Sequence, residues 1–231
     1  MNLRANSSRF GRQRGMGLIE MMVGMTIGLI VLAALGYFFL GSIQANRTHN
    51  DISRMQESGR QALEILGMAI RQAGYYPADT RTTFPGTAMT GTNGTPDSIT
   101  VQFDAQEGGE TNCAGTAVAA GAVVTYAFAV NGSRQLTCQG QPVADNIEDM
   151  QVVYGIDADK NGIIESYTAT PTTTEFPQVA AVRVNLLVRG PSAQAATGSQ
   201  TYTFNGAGVT KTDGFLRQVY ASTFTVRNQA K

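Results

Sequence analysis

Histidine occurs once in the 231 residues, at His49, and cysteine only twice, at Cys113 and Cys138. A Ser-His-Asp triad would have to recruit that single imidazole, and a multi-histidine zinc site has no second one to use. His49 lies shortly after a long apolar run, where a solvated helix position accounts for it. Glycine is plentiful, but Gly91-Thr92-Asn93-Gly94 lacks the Lys-Ser/Thr pair that completes a phosphate-cradling loop. Charged residues make up only 15% of the chain and sum to zero. Beyond the first fifteen residues no Lys/Arg cluster stands out, which argues against nucleic acid as the main partner. There is no internal repeat. These absences point away from an enzyme and towards a structural or interaction role.

Charge is missing altogether from residues 21–40 (MMVGMTIGLIVLAALGYFFL). At ~1.5 Å per residue, twenty helical positions match the ~30 Å hydrocarbon core of a bilayer. Arg4, Arg9, Arg12 and Arg14 precede this run without an acidic residue among them. A positive flank is retained in the cytoplasm, so the chain after Leu40 is expected in the periplasm. Without those four arginines the remaining chain is formally near −4. In an exported compartment thiols tend to oxidise, so Cys113 and Cys138 are expected to close a disulfide loop of about 25 residues. Two buried free thiols are the alternative.

The N-terminus departs from an ordinary secretory signal, whose cleavage site follows its apolar core. Here Arg14-Gly15 leads straight into Met16-Gly17-Leu18-Ile19, with Glu20 interrupting the apolar run. An ionisable group at membrane depth costs ~2.5–3.5 kcal/mol or more at mid-helix and is a functional candidate by default. The segment R-G-M-G-L-I-E-M-M-V resembles the class III signal of type IV pilins and type II secretion pseudopilins. That resemblance implies cleavage by prepilin peptidase after Gly15 and N-methylation of Met16, where phenylalanine is commonest. It also implies that Glu20 pairs with the N-terminal amine of a neighbouring subunit during assembly.

Apolar or small residues recur at Ile52, Met55, Gly59, Ala62, Leu63, Leu66, Ala69, Ile70 and Ala73, the spacing of one helical face. The helix is expected to end near Gly74, with Pro77 beyond it. If continuous from Gly17 it would run for roughly 85 Å. Residues 80–97 read as a long surface loop. Strand-like runs follow at 99–103, 123–130, 135–138, 150–154, 179–188, 201–204 and 218–226, the last placing Tyr220, Ser222, Phe224 and Val226 on one face. Asn131-Gly132-Ser133 signals a hairpin through the positive φ of Asn-Gly. The expected fold is α+β and type IV pilin-like, a long N-terminal helix packed on an antiparallel β-sheet. Its parts are a leader at 1–15, a transmembrane or filament-core helix at 16–41, an amphipathic half at 42–76 and a β-rich domain at 77–231.

Several later segments are similar to the PilW family of minor pilins. They include Glu57-Ser58-Gly59-Arg60, Ala73-Gly74-Tyr75, Val153-Tyr154-Gly155-Ile156-Asp157, the run from Ala181 to Arg189, and Arg217 to Tyr220 with the ending Arg227-Asn228. The resemblance implies a subunit that joins other minor pilins, and the major pilin, in the priming or tip complex of a type IV pilus. Its expected location is first the bacterial inner membrane and then the pilus, in support of twitching motility and adhesion. A type II secretion minor pseudopilin and a membrane-anchored, calcium-dependent adhesion module are the alternatives.

One further motif carries chemistry. Asp157-Ala158-Asp159-Lys160-Asn161-Gly162-Ile163-Ile164-Glu165 places oxygen ligands at alternate positions with a glycine for the bend. Asp157, Asp159 and Asn161 through side chains, Ile163 through its carbonyl and Glu165 as the closing acid could hold calcium. An EF-hand would have glutamate at the twelfth position, where this chain has Thr168, and no helix pair flanks the loop. A polar β-turn with solvated acids is the other reading.

Overall fold

The computed structural model describes residues 15, 17–78, 82–105 and 109–228. Among the described residues one α-helix, α1 (Leu18–Gln72), is followed by eleven strands. The chain divides into two units after Asn46. In the first, α1 contains a window of mean hydropathy 2.3, long and apolar enough to cross a membrane. Its side chains from Leu18 to Leu40, among them Ile27, Leu32, Phe38 and Phe39, are exposed.

In the second unit the helix buries Met55, Ala62, Leu66 and Ile70 completely or nearly so. Its end has a clear cause. Gly74 turns left-handed at φ +68, and its N–H donates to the Gln102 carbonyl at 2.8 Å. The Asn228 side-chain amide donates to the Ala73 carbonyl at 3.0 Å. One of the carbonyls left over at the helix C-terminus is thus satisfied by Asn228, and the left-handed turn after it is held by Gln102.

The strands form three antiparallel sheets rather than the one expected. The first runs in order β1 (Met89–Thr92), β2 (Ser98–Asp104), β3 (Val123–Val130), β4 (Leu136–Cys138) and β5 (Gln141–Ala144). In the second, β6 (Ile147–Ile156), β7 (Ser166–Thr168), β8 (Val179–Arg189) and β11 (Arg217–Thr225) are ordered β11-β8-β6-β7. The third is the hairpin β9 (Gln200–Phe204) with β10 (Ala207–Lys211). Strand β8 is almost wholly buried and rich in valine, as suits a strand paired on both sides. Asp97 ties the first two sheets together: its carboxylate accepts from the Gly94 and Val152 N–H groups, each at 2.7 Å, and its own N–H donates to the Met150 carbonyl. The segment 80–97, expected to be loop, contains β1, paired with β2.

The hairpin between β3 and β4 exists, but its left-handed residue is Arg134, at φ 58. Asn131 acts through its side chain instead, its Oδ1 accepting from the Ser133 and Gln135 N–H groups at 3.0 Å each.

The aromatic face of β11 lies directly on the helix. A Cβ added at Gly59 would come within 2.7 Å of the Tyr220 ring, and one at Gly67 would collide with the ring of Phe224. In an exposed helix interior Gly→Ala stabilises by up to ~1 kcal/mol. Here Gly67→Ala should instead destabilise by about 1–3 kcal/mol, the usual cost of overpacking. Urea denaturation reads this directly, and a stabilised variant would mean that Phe224 is not held against the helix.

Candidate functional site

Three places carry the expected site residues. At the N-terminus, Gly15 and Gly17 are exposed and α1 begins at Leu18. Met16 lies outside the described residues. Glu20 sits in the first helical turn, its N–H bonded to the Gly17 carbonyl at 3.0 Å, and an acid there is favoured by the helix dipole. It lies on the same exposed apolar stretch as Leu18, Ile19, Met21 and Met22.

The second place is the disulfide. Cys113 and Cys138 are joined, with Cα atoms 5.6 Å apart. Cys138 is fully buried in the short strand β4, whereas Cys113 belongs to an irregular segment before β3. That segment has its own order: Asn112 Oδ1 accepts from the Ala114 and Thr116 N–H groups, and Thr111 bridges Ala117. The Tyr126 hydroxyl donates to the Thr111 carbonyl at 3.2 Å. Burial, and then the Glu110 carboxylate, push the Tyr126 hydroxyl pKa up, so it stays protonated as the donor this bond needs.

The third place is the connection between β6 and β7. Asp157 leaves the end of β6 almost completely buried, and its N–H donates to the Gln178 carbonyl at 2.9 Å. Glu165 returns the chain to β7, its N–H donating to the Ile156 carbonyl. Carboxylate oxygens of Asp157, Asp159 and Glu165 all lie within 4.8 Å of one another. Oxygens sharing a calcium ion at ~2.3–2.6 Å each stand at most about 5 Å apart, so the three acids suit a common hard cation in type and spacing.

The same carboxylates also organise the loop. Asp157 accepts from the Asn161 and Gly162 N–H groups at 3.1 and 2.8 Å, and Glu165 accepts from the Ala158 N–H at 2.9 Å. Asn161 and Ile163 join through amide bonds: Asn161 Nδ2 donates to Asp159 Oδ2 at 2.8 Å, and the Ile163 N–H donates to Asn161 Oδ1 at 2.7 Å.

Asp51 and Arg217 are among the buried charges that the sequence does not announce. Asp51 on α1 is 1% exposed, and its carboxylate accepts from the Ser192 N–H at 3.0 Å and the Ser192 hydroxyl at 2.8 Å. The Arg217 side chain is 1% exposed and forks onto Glu148 and Asp213. Neither sits in a pattern that periodicity can detect, because each partner comes from a distant segment or a loop.

Residues 118–228 match the family model described as Type IV Pilus-assembly protein W. Residues 11–36, which include Gly15, Met16 and Glu20, match the prokaryotic N-terminal methylation motif. Among solved structures, a type IV-like pilin from Thermus thermophilus is similar with a TM-score of 0.56. It is 18% identical, over 77% of this chain and 98% of that one. At that identity the likeness is one of fold. No curated protein matches the chain.

Proposed function

We propose that the chain is a PilW-like type IV minor pilin, that it is clipped after Gly15, and that it assembles with other minor pilins into the priming or tip complex of a type IV pilus. The reading is carried by two matches on one polypeptide: the methylation motif over residues 11–36 and the PilW model over residues 118–228. The exposed apolar side chains from Leu18 to Leu40 support it, since such a surface is stable only against lipid or other apolar helices. The chain would be held in the inner membrane with its globular unit in the periplasm, then pass to the pilus with the major pilin. Its role is structural, with support for twitching motility and adhesion following from assembly.

Glu20 is the assembly contact in this scheme. A carboxylate among apolar helices is costly alone, and pairing with a neighbour's N-terminal amine offsets part of that cost while setting the register between helices. The amine of Met16 exists only after cleavage, so processing and assembly are coupled. Intact mass of the membrane form should give a species beginning at Met16, whereas a mature form retaining Met1 would overturn the reading. Glu20→Ala should leave cleavage unchanged and weaken co-purification with other pilins.

Calcium is the cation proposed for Asp157, Asp159 and Glu165, where it would neutralise three crowded carboxylates and stiffen the β6–β7 hairpin. A ligand bound only by the folded state stabilises it, by about 2.7 kcal/mol at a hundredfold excess over Kd. Millimolar calcium should therefore raise the melting temperature, and the rise should vanish in an Asp157→Asn, Asp159→Asn variant. An equal rise in both proteins would leave the loop as a polar turn.

A further inference from the structure

The dipeptide Asn-Gly occurs four times, at Asn93-Gly94, Asn131-Gly132, Asn161-Gly162 and Asn205-Gly206. Such a step can modify itself. The glycine amide nitrogen attacks the asparagine Cγ, a C–N bond forms and ammonia leaves. Water then opens the resulting succinimide to aspartate or isoaspartate. The attack needs a glycine N–H free of other bonds and an asparagine side chain able to swing onto it.

The fold withholds these conditions from three of the four steps. The Gly94 N–H donates to Asp97 Oδ1 at 2.7 Å, and the Gly162 N–H to Asp157 Oδ2 at 2.8 Å. Asn131 is locked by three bonds: its Oδ1 accepts from Ser133 and Gln135, and its Nδ2 donates to Gln135 Oε1 at 3.1 Å. Asn205 and Gly206 are the exposed two-residue turn of the β9–β10 hairpin, with φ of 50 and 78. Among the described residues the Gly206 N–H has no hydrogen-bond acceptor. The Asn205 side chain has one long bond, from its Nδ2 to Gln151 Oε1 at 3.3 Å. We infer that Asn205 is a site of spontaneous deamidation in the folded protein, and that the other three Asn-Gly steps are protected by their hydrogen bonds.

The product would not be silent. Gln151 is almost fully buried on β6, and its Nε2 is committed to the Gly94 carbonyl and to Asp149 Oδ1. Converting Asn205 to an acid sets oxygen against Gln151 Oε1 and adds a carboxylate to a neighbourhood that already holds Asp149. The isoaspartate form also lengthens the turn by one methylene, breaking the register in which Ala207 faces Phe204. The reaction thus acts as a slow, irreversible release of the β9–β10 hairpin from β6.

The test is to incubate the full-length, detergent-solubilised protein at mildly alkaline pH and follow the one-unit mass gain in tryptic peptides. The peptide of residues 190–211, whose sole asparagine is Asn205, should react at least about tenfold faster than Asn93 or Asn161, the rate penalty of breaking one charged hydrogen bond. In urea all four steps should approach a common rate, and Asn205→Gln should abolish the gain in that peptide. Reaction at any other step first in the folded protein, or equal rates at all four before unfolding, would overturn the inference.

Discussion

Replacing Arg217 by alanine should lower the melting temperature of the globular unit by roughly 6–12 °C. The guanidinium makes two bidentate contacts from a buried position. Its Nε and Nη2 donate to the Glu148 carboxylate at 2.6 and 3.1 Å, while Nη1 and Nη2 donate to Asp213 at 2.8 and 2.6 Å. It thereby joins β11, the start of β6 and the turn before β11. Its backbone is also gripped, since Gln200 bonds both its N–H and its carbonyl at 2.8 Å.

Removing one member of a buried pair costs about 3–5 kcal/mol, because the partner is left uncompensated. Glu148 and Asp213 are 25% and 40% exposed, so rehydration holds the loss near ~3 kcal/mol, which at ~2–4 °C per kcal/mol gives the stated shift. Arg217→Lys should recover only part of it, because a single ammonium cannot fork onto two carboxylates. The pH dependence follows from Asp213, whose pKa is held well below the usual carboxylate range by its hydrogen bonds from Arg217. A depressed folded pKa means that the stabilisation is complete above the unfolded value and is lost as pH falls through the folded one. The contribution should therefore persist at neutral pH and fade below about pH 4. Equal acid sensitivity in wild type and Arg217→Ala would show that the pair is not the source.

Loss of the disulfide should have an effect of similar size. A bond closing a 25-residue separation removes unfolded-state entropy worth ~3.5 kcal/mol in the chain-entropy model, or about 7–14 °C for a unit of this size. Cys113→Ala with Cys138→Ala should shift the urea midpoint accordingly. The slope should rise as well, because an uncrosslinked denatured chain exposes more surface. The damage should also be local. Cys138 is anchored in β4, whereas the Cys113 segment depends on short-range turns, the Thr111–Ala117 bridge and one bond from its N–H to Gln139 Oε1 at 3.1 Å. Limited proteolysis of the variant should therefore cut first within residues 109–122. First cleavage elsewhere would show that the loop is held by its other contacts.

Much of the fold was legible in the chain. The helical face from Met55 to Ile70 shows in three-and-four spacing, and Gly74 marks its end. The runs that became β2, β3, β6, β8 and β11 are rich in β-branched and aromatic residues, so their strand character is local. The four short strands β1, β5, β7 and β10 were not legible. Their sequences, MTGT, QPVA, SYT and AGVTK, are too short or too interrupted by Gly and Pro to show an alternation, and they are extended because a neighbouring strand supplies their hydrogen bonds. The division into three sheets was hidden for the same reason, since the order β11-β8-β6-β7 is a statement about partners far apart in sequence.

The candidate sites divide along the same line. Residues close together in the chain stand out as candidates: Gly15, Met16 and Glu20 at the entrance to an uncharged run, or acids at alternate positions from Asp157 to Glu165. Short-range spacing and hydropathy were enough to read a helix long and apolar enough to cross a membrane, followed by a β-rich unit, because both depend on neighbours a few residues away. Tertiary structure alone decided that Gly59 and Gly67 receive the rings of Tyr220 and Phe224, that Asp51 and Arg217 are buried charges with partners, and that one Asn-Gly step of four is left open. Each of these rests on which distant groups remove water from a side chain or occupy its hydrogen bonds, and that is a property of the packed chain rather than of any segment within it.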